Sequence, residues 1–246
     1  MRNCLQRRAF LKSLSATAAA PLAASLLSVE NAFAEELGSL PTPPLSAGQE
    51  SALRTRYFLD PTVTYLNHAS IGTVPRAVHR AGMRYREICE ENPWLYIWGG
   101  AWEDAREEVR EAAAESMGCG VRETAITHNT TEGFNLMAQG LPLGPGDEVL
   151  FSTLNHPGAS ICWDHFASSR GYSVRRFDFP IGDIMGMSAE DVVRIHEEEI
   201  REATRVLVLP HIDNIVGLRH PLGPLATMAH DRGVEYVVVD GAQSAG

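Results

Sequence analysis

The sequence predicts an α/β fold, a mainly parallel sheet with flanking helices. Two observations carry this expectation. Strand-like segments alternate with helix-forming stretches through the second half of the chain. Val206-Leu207-Val208-Leu209 and Val237-Val238-Val239 are continuous apolar runs, the pattern of strands covered on both faces. Such strands pair in parallel, because each helix returns the chain across the sheet.

The elements follow in order. The stretch from Glu35 to about Gly48 holds Pro, Ser and Leu without periodicity and predicts a linker, taken to residue 57. A folded domain is expected over 58–246, with apolar residues alternating from Tyr65 onward. Trp94, Trp98 and Trp102 recur at a spacing of four, which fits a packed helical stripe. Gly99-Gly100 would interrupt it with a mobile loop. Glu103–Met117 has helix-forming composition and stops at Gly118. Thr124–Thr127 predicts a short strand, Glu132–Gln139 a helix, and Glu148–Ser152 a strand after the turn Pro145-Gly146-Asp147. Ala159–Ser169 predicts a helix ended by Gly171, and Ser173–Phe177 a strand. Ser188 caps a helix expected to reach Ala203, with Asp191 three positions on. Arg205–Leu209, Leu222–Asp231 and Val234–Asp240 complete the series as strand, helix and strand.

Composition excludes several classes. Of 246 residues, 44% are hydrophobic and 21% charged, as in ordinary globular chains. A net charge of −10 opposes a nucleic-acid-binding surface, which needs clustered cations. Of the 21 basic residues only Lys12 is a lysine.

Lys12 lies in an apparent address. Arg7-Arg8-Ala9-Phe10-Leu11-Lys12 precedes an apolar stretch, Leu14–Val29, and then Ala32-Phe33-Ala34. Charged start, apolar middle and small-x-small site describe a signal peptide over residues 1–34. The Arg-Arg pair resembles the twin-arginine type, so export to the periplasm through that translocation machinery is expected. A single anchoring helix is the alternative; Ser, Thr and Pro21 dilute the apolar run against it, and no stable membrane anchor is expected. Cys89, Cys119 and Cys162 are too few and too spread for a metal site or disulfide framework.

In parallel sheets, ligands sit beyond the carboxyl ends of the strands. Four polar clusters stand there: Thr127–Gly133, Ser152–His156, Pro210–Asn214 and Asp240–Gly246. Thr130 and Thr131 open a helix, where free N–H groups favour phosphate; each could equally be a plain cap. Asp240 ends an apolar strand, where a carboxylate is costly unless paired.

Asp240-Gly241-Ala242-Gln243-Ser244-Ala245-Gly246, Thr130-Thr131-Glu132-Gly133 with Asn135-Leu136, His156, and Tyr65-Leu66-Asn67-His68-Ala69-Ser70 stand in one order. Together they resemble the class V aminotransferases, which include cysteine desulfurases and isopenicillin N epimerase. The resemblance implies the pyridoxal 5′-phosphate (PLP)-dependent transferase fold type I and that cofactor. It implies phosphate binding by Thr130 and Thr131, and stacking on the cofactor ring, with a catalytic role, by His156. It implies contacts to the phenolic oxygen from Asn214 and Gln243. Asp240 would pair catalytically with the ring nitrogen. A small amino-acid or amine substrate is implied, in transamination, epimerisation or β-elimination, with a homodimer at full length. His68, His128 and His211 are given only pocket lining.

Such an enzyme needs a Schiff-base lysine, and none follows residue 34. The expectation is therefore a large domain cut before that lysine, with the C-terminal small domain absent. The alternative is a lysine-free binding module or pseudoenzyme. An unrelated nucleotide-binding α/β protein finds no Gly-x-Gly-x-x-Gly or phosphate-loop lysine in support.

Overall fold

A computed structural model describes residues 46–94 and 102–244. The signal peptide, Trp98 and Gly99-Gly100 lie outside the described residues. The described residues form two compact units, divided between Glu111 and Ala112.

In the first unit, α1 (Ala47–Thr55) starts at Ser46 in a capping box: Ser46 Oγ accepts from the Gln49 N–H, and Gln49 Oε1 accepts from the Ser46 N–H at 3.0 Å. This helix falls inside the stretch read as a linker, where local capping outweighs the missing apolar stripe. Helix α2 (Arg76–Glu91) follows Pro75 and buries Ala77 and Ile88. Its 3.6-residue stripe replaces the alternation expected from Tyr65 onward. Trp102 packs on Tyr85 with ring centroids 5.4 Å apart, while Trp94 is exposed. Helix α3 (Glu103–Met117) has the bounds its composition predicts.

In the second unit, Val121–Glu123 forms a 3-10 turn, and the strand expected at Thr124–Thr127 is absent. The Thr124 N–H donates to Val121 O (3.2 Å) and its hydroxyl to Gly120 O (3.1 Å), so this backbone closes a turn rather than a ladder. Then come α4 (Thr130–Gly140), β1 (Glu148–Ser152), α5 (Pro157–Arg170), β2 (Ser173–Phe177), α6 (Ala189–Glu199), β3 (Thr204–Pro210), α7 (Leu222–Asp231) and β4 (Tyr236–Asp240). Helix α5 ends at Gly171, whose φ of +83° a side chain would strain. Helix α6 stops four residues short of Ala203. The Arg201 N–H donates to Thr204 Oγ1 and the Thr204 N–H to Arg201 O, both at 3.0 Å, turning the chain into β3.

The sheet is wholly parallel, in the order β2-β1-β3-β4. Successive side chains alternate between two cores. Val149, Phe151, Val206 and Val208 pack with Phe134 and Ala138 of α4 and Trp163 of α5. Leu150, Leu207 and Leu209 pack with Val192 of α6 and Leu225 and Met228 of α7. Each fully buried aliphatic chain contributes about 1.5–3 kcal/mol. Helices thus cover both faces, leaving the strand ends for chemistry.

Candidate active site at the carboxyl edge of the sheet

From β1 the chain runs outward to β2, then crosses back to β3 on the other side of β1. The crevice between the carboxyl ends of β1 and β3 is therefore the topological switch point. Asn155 fills it, 8% exposed. Its Oδ1 accepts from the Ser152 N–H (3.2 Å) and hydroxyl (3.3 Å), and its Nδ2 donates to Val208 O (3.2 Å). These bonds fasten β1 to β3 and set where the next residue, His156, leaves the sheet.

His156 is the N-cap of α5. Its Nδ1 accepts from the Gly158 N–H at 3.0 Å, so the neutral ring carries its proton on Nε2. The ring is exposed, and Nε2 has no partner among the described residues.

Thr130 and Thr131 are the first two residues of α4, but neither is the cap. Asn129 holds that role, accepting from the Glu132 N–H at 2.9 Å. Both threonine hydroxyls are thereby uncommitted among the described residues. Glu132 steadies this turn by accepting from the His128 N–H (2.6 Å) and lying 2.9 Å from His128 Nδ1, bonds that hold its carboxyl below the usual range.

The two helix starts converge. A Cβ on Gly158 would lie 2.8 Å from Thr131 Oγ1 and 3.1 Å from His156 Nδ1. Thr131 Oγ1 and His156 thus flank Gly158 where two positive helix ends meet, the setting that favours a phosphate.

Asp240 ends β4, 7% exposed. Its Oδ1 accepts from the Ala242 N–H at 3.0 Å, while Oδ2 has no hydrogen bond among the described residues. A nearly buried, half-satisfied carboxylate suits a cationic N–H donor. Its carbonyl accepts from the His211 N–H at 2.8 Å, and His211 Nδ1 lies 2.8 Å from Ser244 Oγ. His211 therefore braces the turn carrying Asp240 and Gln243, more than the pocket lining expected of it.

Asn214 stands on the loop after β3. Buried Asp213 shapes this loop by accepting from the N–H groups of Ile215 (2.8 Å), Val216 (2.7 Å) and Leu218 (2.7 Å). Asn214 and Gln243 are exposed and make no side-chain hydrogen bond among the described residues. The structure thus brings Thr131 and His156 together and sets Asn214, Asp240 and Gln243 along the same sheet edge. Among the described residues no hydrogen bond or ion pair joins the second group to the first. Sequence reasoning assigned no role to Asn155, Asp213 or Gly158, because what marks them is burial and close approach. A groove of about 700 Å³, lined by Leu53, Tyr57, Leu59, Val63, Tyr65 and Arg76, lies within the first unit and carries no comparable constellation.

A wholly parallel sheet covered on both faces, with a carboxylate ending one strand and two helix starts meeting at the same edge, is a doubly wound α/β domain of the kind that binds ligands at its carboxyl edge. The aminotransferase class-V family pattern matches residues 64–246, and the chain belongs to that family. It is 36% identical over 191 residues to a cysteine desulfurase of Haloferax volcanii, covering 74% of this chain and 43% of that protein. It is 31% identical over 202 residues to isopenicillin N epimerase of Amycolatopsis lactamdurans, covering 78% of this chain and 48% of that protein. Among solved structures, a mutant of C-DES with glycine covalently linked to the PLP cofactor superposes with a TM-score of 0.66 and 26% identity. That match covers 75% of this chain and 48% of the other. The chain spans about half the length of the relatives it matches. Family and fold make PLP the cofactor.

Proposed function

We propose that these residues hold PLP in an enzyme that removes the α-proton of an amino-acid or amine substrate. The observation that carries this reading is Asp240, a nearly buried carboxylate with one oxygen uncommitted at a strand end. When bound, PLP supplies an electron sink for charge developing at the substrate α-carbon. Asp240, ionised, would keep a proton on the ring nitrogen. Thr130 and Thr131 would donate to the phosphate beside the starts of α4 and α5. His156 would cover the ring face and hold a proton on Nε2. Asn214 and Gln243 would donate to the phenolic oxygen. These roles rest on the fit of each group to its neighbours and on the family resemblance.

Residues 35–246 contain no lysine, so they supply no Schiff-base amine for the cofactor. Transamination, epimerisation and β-elimination all begin at that proton. The relatives include desulfurases and an epimerase, and the common first step is the reading supported here. The complete protein is proposed to be a homodimer exported by the twin-arginine route.

The test is solvent-deuterium incorporation at the α-carbon of an amino acid by a protein extended to include the family lysine. Incorporation is expected, and Asp240→Ala should abolish it while leaving the fold intact. Retained exchange in Asp240→Ala would overturn the assignment. The absence of lysine favours one second reading, a non-catalytic PLP-binding module. PLP binding without exchange in the extended protein would select it.

A further inference from the structure

His196 and His220 take no part in the site, yet they are 0% and 1% exposed. His196, on α6, has Nδ1 2.8 Å from Val192 O, so Nδ1 carries the proton and Nε2 is an acceptor with no partner. Among the described residues neither ring nitrogen of His220 has a hydrogen-bond partner. The two rings meet edge to face, centroids 5.7 Å apart. Phe177 and Phe179 enclose them: Phe177 to His196 is 5.2 Å, Phe179 to His196 5.6 Å and Phe179 to His220 6.0 Å. Three orphaned polar atoms in an aromatic pocket cost stability that apolar rings would not.

His220 closes the loop that carries Asn214. Its N–H donates to His211 O at 2.8 Å, Ile212 and Arg219 form an antiparallel bridge, and the His211 N–H reaches Asp240 O. The loop is stapled to β4 at one end and sunk into the aromatic pocket through His220 at the other.

We propose that the His196–His220 pair is an acid-sensitive latch: protonation expels His220 from its pocket and frees the loop 211–220 beside Asp240. The consequence for PLP rests on the functional reading above; the latch itself does not. The surroundings agree. Burial pushes His196 down to about 4, with the Val192 carbonyl opposing and His220 adding to the shift. Burial likewise pushes His220 down. The Asp213 carboxylate and the Leu218 and His211 carbonyls pull it up without a hydrogen bond of normal geometry, and the His211 ring pushes it down. Asp213 and His211 are the titratable groups acting on His220 from its own loop; from α6 it faces His196, and His196 faces His220.

The sign follows. A released histidine protonates near ~6.5, and the latched rings resist protonation until lower pH. The open state therefore gains about tenfold per pH unit per ring as pH falls below about 6.5, up to about a hundredfold for both. For His196 this continues to about pH 4.

Native-state hydrogen exchange on the 246-residue chain without PLP tests this between pH 7.5 and 5.0. After correction for intrinsic rates, opening at Leu218 and His220 should rise about five- to thirtyfold from pH 6.5 to 5.5, while Phe151 and Leu207 stay protected. His196→Phe should remove about one fivefold step, and His220→Leu at least one. If His220→Leu does not fold, His196→Phe and the imidazole proton resonances decide: the His196 ring should stay untitrated through pH 6, and the His220 ring should titrate below its ordinary value. Opening independent of pH, a pH dependence kept by the variants, or resonances titrating near 6.5 in the folded chain would overturn the latch. A chain that shows the latch but binds no PLP would overturn the functional reading alone.

Discussion

Gly158 is where one methyl group tests the phosphate site. As the second residue of α5 it gains helix propensity on replacement by alanine. Its new Cβ would meet Thr131 Oγ1 at 2.8 Å and His156 Nδ1 at 3.1 Å. The threonine hydroxyl can rotate away, so Gly158→Ala should keep the fold and move the melting temperature by only a few degrees. PLP affinity, read by fluorescence titration, should fall about tenfold, equivalent to one lost charge-assisted hydrogen bond of about 1.5 kcal/mol. Unchanged affinity would show that no phosphate binds there. Thr130, Thr131 and His156 were nominated by a sequence motif, and the structure places them at the starts of α4 and α5. Gly158 and Asn155 were not, because nothing local says that α4 and α5 start side by side or that Asn155 reaches Val208.

Among elements, the opposite edge of the sheet shows what holds the strands in register. Glu148 begins β1, Thr204 begins β3, and Arg175 lies in β2. Arg175 Nε donates to Glu148 Oε2 at 2.9 Å, its Nη1 to Glu199 Oε2 at 2.6 Å, and Thr204 Oγ1 to Glu148 Oε1 at 2.7 Å. Burial pushes the Glu148 carboxyl up, but the Arg175 and Thr204 hydrogen bonds together bring it below its ordinary value. Its stabilising contribution is therefore present above the unfolded value of ~4.3 and is lost as pH falls through the lower folded value. Arg175→Leu would leave a buried carboxylate unpaired and should cost about 3–5 kcal/mol in urea unfolding at pH 7, with a smaller loss at pH 4. A loss that does not shrink with acid would make the role of Arg175 mere packing. Of the strands in this network β3 was legible as an apolar run, and α3 and α7 as bounded helices. Helix α2 was missed because only Ala77 and Ile88 are buried in its sixteen residues, a stripe too thin to outweigh apparent alternation. Thr124–Thr127 had strand propensity, but propensity needs a ladder partner and the neighbouring turn took its donors.

At the scale of the whole molecule, location and cofactor chemistry meet in one count. The sole lysine, Lys12, lies in the segment proposed as a twin-arginine signal. Arg7→Lys with Arg8→Lys should block delivery to the periplasm in cell fractionation; unchanged delivery would refute that route. If processing follows Ala34, residues 35–246 offer PLP no primary amine except the new terminal one. Covalent capture of the cofactor aldehyde needs an unprotonated primary amine, and the arginines are always charged and cannot serve. Phosphate, ring nitrogen and phenolic oxygen would still find Thr130, Thr131, Asp240, Asn214 and Gln243. Binding to residues 35–246 should therefore be weak and reversible, and borohydride reduction followed by intact-mass measurement should show no PLP on an internal residue. A protein extended to include the family lysine should give one trapped adduct. Asp240→Ala in that protein should keep the adduct, because capture does not depend on the ring-nitrogen partner, while losing α-proton exchange, which does. An internal adduct on residues 35–246 would mean that a different nucleophile serves the cofactor and that the lysine count has misled.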